Sequence, residues 1–239
     1  MAIQSRNFQY QLGEEVFEAC IAWDDAIMGP APGVLVSHAW AGRSDFENSK
    51  AEKLAAMGYV GFALDLYGKG VLGSGPEENG RLMQPFLDDR PMLQQRMRLA
   101  LDELRSLPEV DEKKVAAIGF CFGGLCVLDL ARSAAEISGV ASFHGLLGAP
   151  GNTTGNKSAA RVLIMHGWDD PMAPPDDVLA VAAEMDALGA DWQIHAYGGT
   201  LHAFTNPEAN DPDGGLQYDR AADRQSWNSL EHFLSEMFG

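Results

Sequence analysis

The sequence predicts an α/β fold, with a mostly parallel central sheet flanked by helices. Two observations carry this. Short apolar runs alternate with longer segments of helical period, the pattern of parallel strands joined by crossover helices. The 239 residues also fit one domain, because α/β folds reach about 250 residues as a single unit. No internal repeat, linker or second core interrupts the pattern, so residues 1–239 read as one domain.

The elements follow in order. Residues 15–23 (EVFEACIAW) alternate and predict an early antiparallel strand. Residues 33–38 (GVLVSH) form a short buried strand. Residues 46–57 predict a helix, which Gly58 stops. Residues 59–67 (YVGFALDLY) predict a second buried strand. Residues 68–90, rich in glycine, proline and polar side chains, predict a long surface segment, and such segments in compact domains are usually functional or mobile. Residues 92–106 carry apolar positions at helical spacing. Residues 114–120 (KVAAIGF) predict the central strand and 122–134 the helix after it. Two more strands follow at 139–145 and 161–167. A helix covers 176–188, with Pro174 and Pro175 near its start, where proline is tolerated. The last strand is 192–197, and 220–238 form a closing amphipathic helix.

Bulk composition excludes several functions. Apolar residues make up 46% and charged residues 21%, an ordinary globular mix. The net charge of −17 repels phosphate backbones and acidic lipid, which argues against nucleic-acid and membrane-surface partners. The three cysteines, Cys20, Cys121 and Cys126, form no CxxC pair and no disulfide framework. The N-terminal segment lacks a signal pattern, and no apolar run approaches the ~18 residues of a membrane span. A cytoplasmic, reducing compartment is expected.

The sharpest chemical signal is Gly119-Phe120-Cys121-Phe122-Gly123-Gly124. It follows an apolar strand and opens a helix, so it reads as G-x-C-x-G, the cysteine form of a nucleophile elbow. The glycines permit a turn so tight that side chains there would clash. The turn exposes the Cys121 sulfur at the helix N-terminus, which favours thiolate. The backbone N–H of Phe122 then faces a developing oxyanion. A buried structural cysteine is the competing reading here, and it is the preferred one for Cys20 and Cys126.

Such a nucleophile needs a base and an orienting acid, in the chain order nucleophile, acid, histidine. After strand 161–167 come Trp168, Asp169, Asp170 and Pro171; after strand 192–197 come two glycines, Thr200, Leu201 and His202. His202 is the expected base. Asp170, three residues past Gly167, is the expected acid, with Asp169 as the alternate. His144, His166, His195 and His232 are read as structural, and no histidine spacing resembles a metal site. A GxGxxG match at Gly68–Gly73 is followed by Ser74-Gly75-Pro76 instead of a helix, which argues against a dinucleotide site. Asp211-Pro212-Asp213-Gly214 reads as a plain turn.

The segments GVLVSHAWAG, GFALDLYGKG, GFCFGG, HGWDDP and HAFTNP, in this order and spread over nearly the whole chain, resemble those of the dienelactone hydrolase family. The resemblance implies an α/β-hydrolase fold without a separate cap domain. It implies a cofactor-independent Cys–His–Asp triad of Cys121, His202 and Asp170, and a second oxyanion donor at the backbone N–H of Trp40. Dienelactone-cleaving members carry a glutamate where Ala39 stands, and an arginine where Asn206 stands. A second family arginine corresponds to Arg81. These departures point to an uncharged ester or lactone substrate, with His38, Arg81, Trp168 and Phe204 as pocket residues. The alternatives are a neutral phosphotriester attacked by the same nucleophile, or a non-catalytic ligand-binding member of the fold. The sequence leaves monomer and homodimer open.

Overall fold

The computed structural model describes residues 2–239. They fall into two compact units, meeting in sequence between Ile118 and Gly119.

The first unit begins with an antiparallel hairpin of β1 (Ile3–Leu12) and β2 (Glu15–Asp24), paired from Ile3↔Asp24 to Leu12↔Glu15. β3 (Ala31–Ser37) and β4 (Val60–Ala63) are parallel, and β4 also pairs antiparallel with β2. With β5 (Val110–Phe120) the order is β1-β2-β4-β3-β5. The helices are α1 (Asp45–Ala56), α2 (Pro76–Asp88) and α3 (Arg90–Ser106). α1 starts on a capping box. Ser44 Oγ accepts the Phe46 N–H, and Glu47 reaches back to the Ser44 N–H at 2.9 Å. Gly58 follows its C-cap with φ 94°, the left-handed conformation that glycine adopts without penalty.

α2 corrects the reading of 68–90 as irregular surface. Three of its residues look like helix breakers but sit where they do little harm. Pro76 occupies the first turn, where its missing N–H has no partner to lose. Pro85 lies in the last turn, and Gly80 is a tolerated interior glycine. β1 is a further strand without an apolar pattern: its polar residues outnumber its apolar ones, as befits a strand at the sheet edge.

The second unit starts with the end of β5 and continues through α4 (Phe122–Arg132), β6 (Gly139–Phe143), β7 (Arg161–Gly167), α5 (Pro175–Leu188), β8 (Asp191–Tyr197) and α6 (Arg220–Phe238). β6, β7 and β8 are parallel neighbours. Two-residue strands β9 (Asn210–Asp211) and β10 (Leu216–Gln217) form a small ladder that short apolar runs do not announce. The α/β class and the parallel strands with helices around them agree with the sequence prediction.

α4 is buried along its whole length and is anchored at its C-terminal end. Arg132 is fully buried. Its guanidinium bonds Asp129, Glu184 and the carbonyls of Leu147 and Gly148. A buried cation with this many acceptors also complements the negative end of the helix dipole. Replacing Arg132 with methionine leaves the buried Asp129 without its cation, and a cost of about 3–5 kcal/mol in urea-denaturation experiments is expected.

Candidate active site

The site assembles at the carboxyl ends of strands in the second unit. Cys121 follows β5 and caps α4 with φ 56° and ψ −118°, a conformation that non-glycine residues rarely adopt. Only four described non-glycine residues have positive φ, and three of them are Cys121, His144 and Ala203. Backbone strain of this kind gathers where a structure holds reactive groups in place. The flanking glycines are required sterically. A Cβ on Gly119 would collide with the carbonyl of Gly123, and one on Gly124 would meet the Gly145 Cα at 2.6 Å. Cys121 is the N-cap of α4, so the positive end of the helix dipole lies at this residue.

His202 follows β8 and is 1% exposed. Its backbone is held on both sides: its N–H donates to Gly215 O, and its carbonyl accepts the Gln217 N–H. The short ladder around β9 and β10 thus fixes the histidine. Its Nδ1 donates to Asp170 Oδ2 at 2.6 Å, and both side chains are buried. Asp170 Oδ1 accepts the Met172 N–H at 2.8 Å, which orients the carboxylate. Asp169, in contrast, is exposed. The geometry therefore joins His202 to Asp170.

His202 Nε2 is buried and makes no well-aligned hydrogen bond, but the Cys121 sulfur lies close enough to interact with the ring. Loose alignment here is common before substrate tightens a site. Burial alone would push the imidazole down. The negative charge of the Cys121 thiolate, hydrogen bonds to Asp170 and Cys121, and the Asp170 charge outweigh it, raising His202 from 6.5 to about 10. A group whose pKa rises on folding stabilises the fold below its unfolded value and loses that contribution as pH climbs through the folded one. The stability advantage of wild type over His202→Gln should therefore shrink as pH rises from about 6.5 through about 10. Urea titrations across that range check this; a constant difference would contradict a charged imidazole.

His144 was read from the sequence as structural, yet it stands inside this constellation. It follows β6 with φ 38° and is 2% exposed. Its Nδ1 accepts the Cys121 N–H at 3.2 Å, an amide that also donates to Phe143 O at 3.0 Å. Its Nε2 lies 2.8 Å from the buried Thr205 Oγ1. The ring stands edge-to-face against His202, with centroids 5.1 Å apart, and against Phe204 at 5.0 Å. No sequence pattern marks this residue, because its role depends on where β6 ends.

The other expected residues fall in varied settings. Trp168 is 42% exposed, and its N–H donates to Tyr197 O. Phe204 is fully buried and backs His144. Asn206 and Ala203 close a turn through the Asn206 N–H. In the first unit, His38 is fully buried. Its Nδ1 donates to Ala39 O at 2.7 Å and its Nε2 accepts the Leu66 N–H at 3.1 Å, the hydrogen bonds of a strand end. Burial pushes its pKa down. Trp40 follows in the same loop, and its carbonyl accepts the Tyr67 hydroxyl. Ala39 donates its N–H to Glu47, so a carboxylate braces this loop although alanine stands in it. Arg81 is on α2, largely exposed and paired with Glu78. Among the described residues no cluster of His, Cys, Asp and Glu is placed to share a metal ion, and no helix is long and apolar enough to cross a membrane.

Comparison with known proteins gives the family and the fold. A model of the dienelactone hydrolase family matches residues 17–238. The crystal structure of a dienelactone hydrolase-like promiscuous phosphotriesterase from metagenomic libraries is 36% identical, covers 100% of both chains and superposes with a TM-score of 0.93. Protein usf of Aquifex pyrophilus is 29% identical over 86% of this chain and 88% of its own. A thermophilic esterase from Thermogutta terrifontis, at 15% identity and a TM-score of 0.73 over 97% of this chain and 92% of its own, shares the fold.

Proposed function

Because the chain belongs to the dienelactone hydrolase family and is an ester-bond hydrolase, we propose that it cleaves small, uncharged esters or lactones through a covalent thioester on Cys121. The observation that carries this reading is the 2.6 Å bond between His202 and Asp170 beside a strained cysteine at a helix N-terminus. The Cys121 thiolate attacks the substrate carbonyl carbon. The oxyanion that forms accepts the Phe122 N–H. As the tetrahedral intermediate collapses, the C–O bond breaks and the His202 imidazolium gives its proton to the leaving alkoxide. Neutral His202 then takes a proton from water, the hydroxide displaces the thiolate, and the acid product leaves. Asp170 holds the imidazole tautomer and stabilises the imidazolium throughout.

Charge favours an uncharged substrate. From residue 162 to 219, the stretch that carries both Asp170 and His202, there is no lysine or arginine. Asn206 stands where a carboxylate-binding arginine would be, and Arg81 is engaged by Glu78. Such surroundings repel an anion.

A second reading is supported by the likeness to a phosphotriesterase. The same thiolate could displace an alkoxide from a neutral phosphotriester, whose tetrahedral phosphorus also develops charge on oxygen. The test is intact-protein mass spectrometry with neutral p-nitrophenyl esters, lactones and diethyl p-nitrophenyl phosphate, while p-nitrophenol release is followed. The expected result is a burst with an acyl adduct on Cys121, absent in Cys121→Ser. A phosphoryl adduct alone would favour the second reading. No adduct and no release from any probe would overturn both and leave a ligand-binding role.

A further inference from the structure

We propose that His144 and Thr205 form a strut that sets the spacing between the Cys121 nucleophile and the His202 base, making His144 a positioning residue. This rests on the thioester reading above. The strut is a chain of two hydrogen bonds. The Cys121 N–H donates to His144 Nδ1 at 3.2 Å, and His144 Nε2 meets Thr205 Oγ1 at 2.8 Å. An amide can only donate, so Nδ1 must be the acceptor and the ring proton must sit on Nε2, donating to Thr205. The tautomer is therefore fixed by geometry. One end of the strut is the backbone of the nucleophile; the other lies three residues beyond the base, in the turn that begins at His202.

Three features separate this from ordinary core packing. His144 adopts φ 38°, a conformation that a non-glycine residue rarely takes, and persists there because its neighbours hold it. Both ring nitrogens are engaged, and the hydroxyl that receives one of them belongs to a 1% exposed threonine. The ring also stands edge-on to His202, so it touches the base as well as the nucleophile's backbone. Reacting atoms tolerate little misplacement, about 1 Å costing on the order of a hundredfold in rate. A rigid link between the two partners is what such tolerance requires.

The test uses the acylation rate constant from single-turnover kinetics with a neutral p-nitrophenyl ester, beside circular dichroism and thermal melting. His144→Phe keeps the ring volume and the aromatic contact but removes both nitrogens. It is expected to lose tenfold or more in acylation rate with substrate affinity changed less than about threefold. His144→Asn returns a carbonyl oxygen near the Nδ1 position and tolerates positive φ, so it should recover much of that loss. Thr205→Val should follow His144→Phe, and Thr205→Ser should resemble wild type. Equal rates in His144→Phe and wild type, or equal losses in the Phe and Asn variants, would overturn the strut. If His144→Phe does not fold, the Thr205 pair decides: equal rates for valine and serine overturn it. Failure of wild type to form any adduct on Cys121 would instead remove the reading on which the strut rests.

Discussion

Replacing Cys121 with alanine is expected to lower kcat for a neutral ester by about 10⁴-fold or more, to the level left by binding and oxyanion contacts alone. Folding should survive, because the substitution removes one sulfur at a half-buried position and leaves the glycine framework of the turn unchanged. A second signature accompanies the loss. The Cys121 charge is the foremost interaction raising His202, so the histidine should titrate lower in Cys121→Ala than in wild type. Nuclear magnetic resonance of the imidazole protons measures this directly. A folded alanine variant with undiminished turnover would move the nucleophile elsewhere. An unmoved His202 titration would mean that the cysteine and histidine are not paired.

Asp170→Asn is the second large effect, expected at about 10³–10⁴-fold in kcat. Size and burial barely change, so substrate affinity and the melting temperature should shift little by comparison. What changes is the acceptor. The carboxylate takes the Nδ1–H of His202 at 2.6 Å. An amide placed there can turn its NH2 toward the ring and favour the tautomer whose Nε2 carries the proton, the wrong form for a base. Asp169→Asn, on an exposed neighbour, should leave kcat within about twofold, as surface substitutions generally do. Comparable losses in the two variants would contradict the pairing seen in the structure. Steady-state kinetics on both, with the same ester, decides the matter.

Much of this arrangement was legible in the residues. The elbow could be read because three independent signals coincide there: the apolar strand before Gly119, the glycine spacing, and the helix after Cys121. Asp170 and His202 could be read because each follows a recognisable strand, β7 by its continuous apolar run and β8 by alternation. Other features were opaque for physical reasons. α2 was hidden because Pro76 and Pro85 are judged as breakers unless their place in the helix is known. The strand pair β9 and β10 is too short to show a period, and its value lies in backbone bonds to His202 that leave no side-chain pattern. The place of His144 is not legible from the sequence because its hydrogen bonds reach Cys121 and Thr205, 23 residues before it and 61 after it. Separations like these carry no local pattern.

The anchoring of α4 has a consequence for how this scaffold accepts change. The nucleophile sits at one end of a buried helix, and the helix is tethered at the other end by Arg132, roughly 16 Å away at the α-helical rise. Its position is therefore held from two directions, by the tether at the rear of the helix and by the bonds from the Cys121 N–H to Phe143 and His144. Side-chain substitutions at exposed positions such as Trp168 or Met172, whose backbone N–H groups keep their bonds to Tyr197 and Asp170, can change the surroundings without displacing the sulfur. In such a protein, substrate range and catalytic geometry can be altered separately. Libraries aimed at new esters should keep Arg132, Asp129 and Glu184 fixed, together with His144, Asp170, His202 and Thr205, and vary the exposed side chains between them.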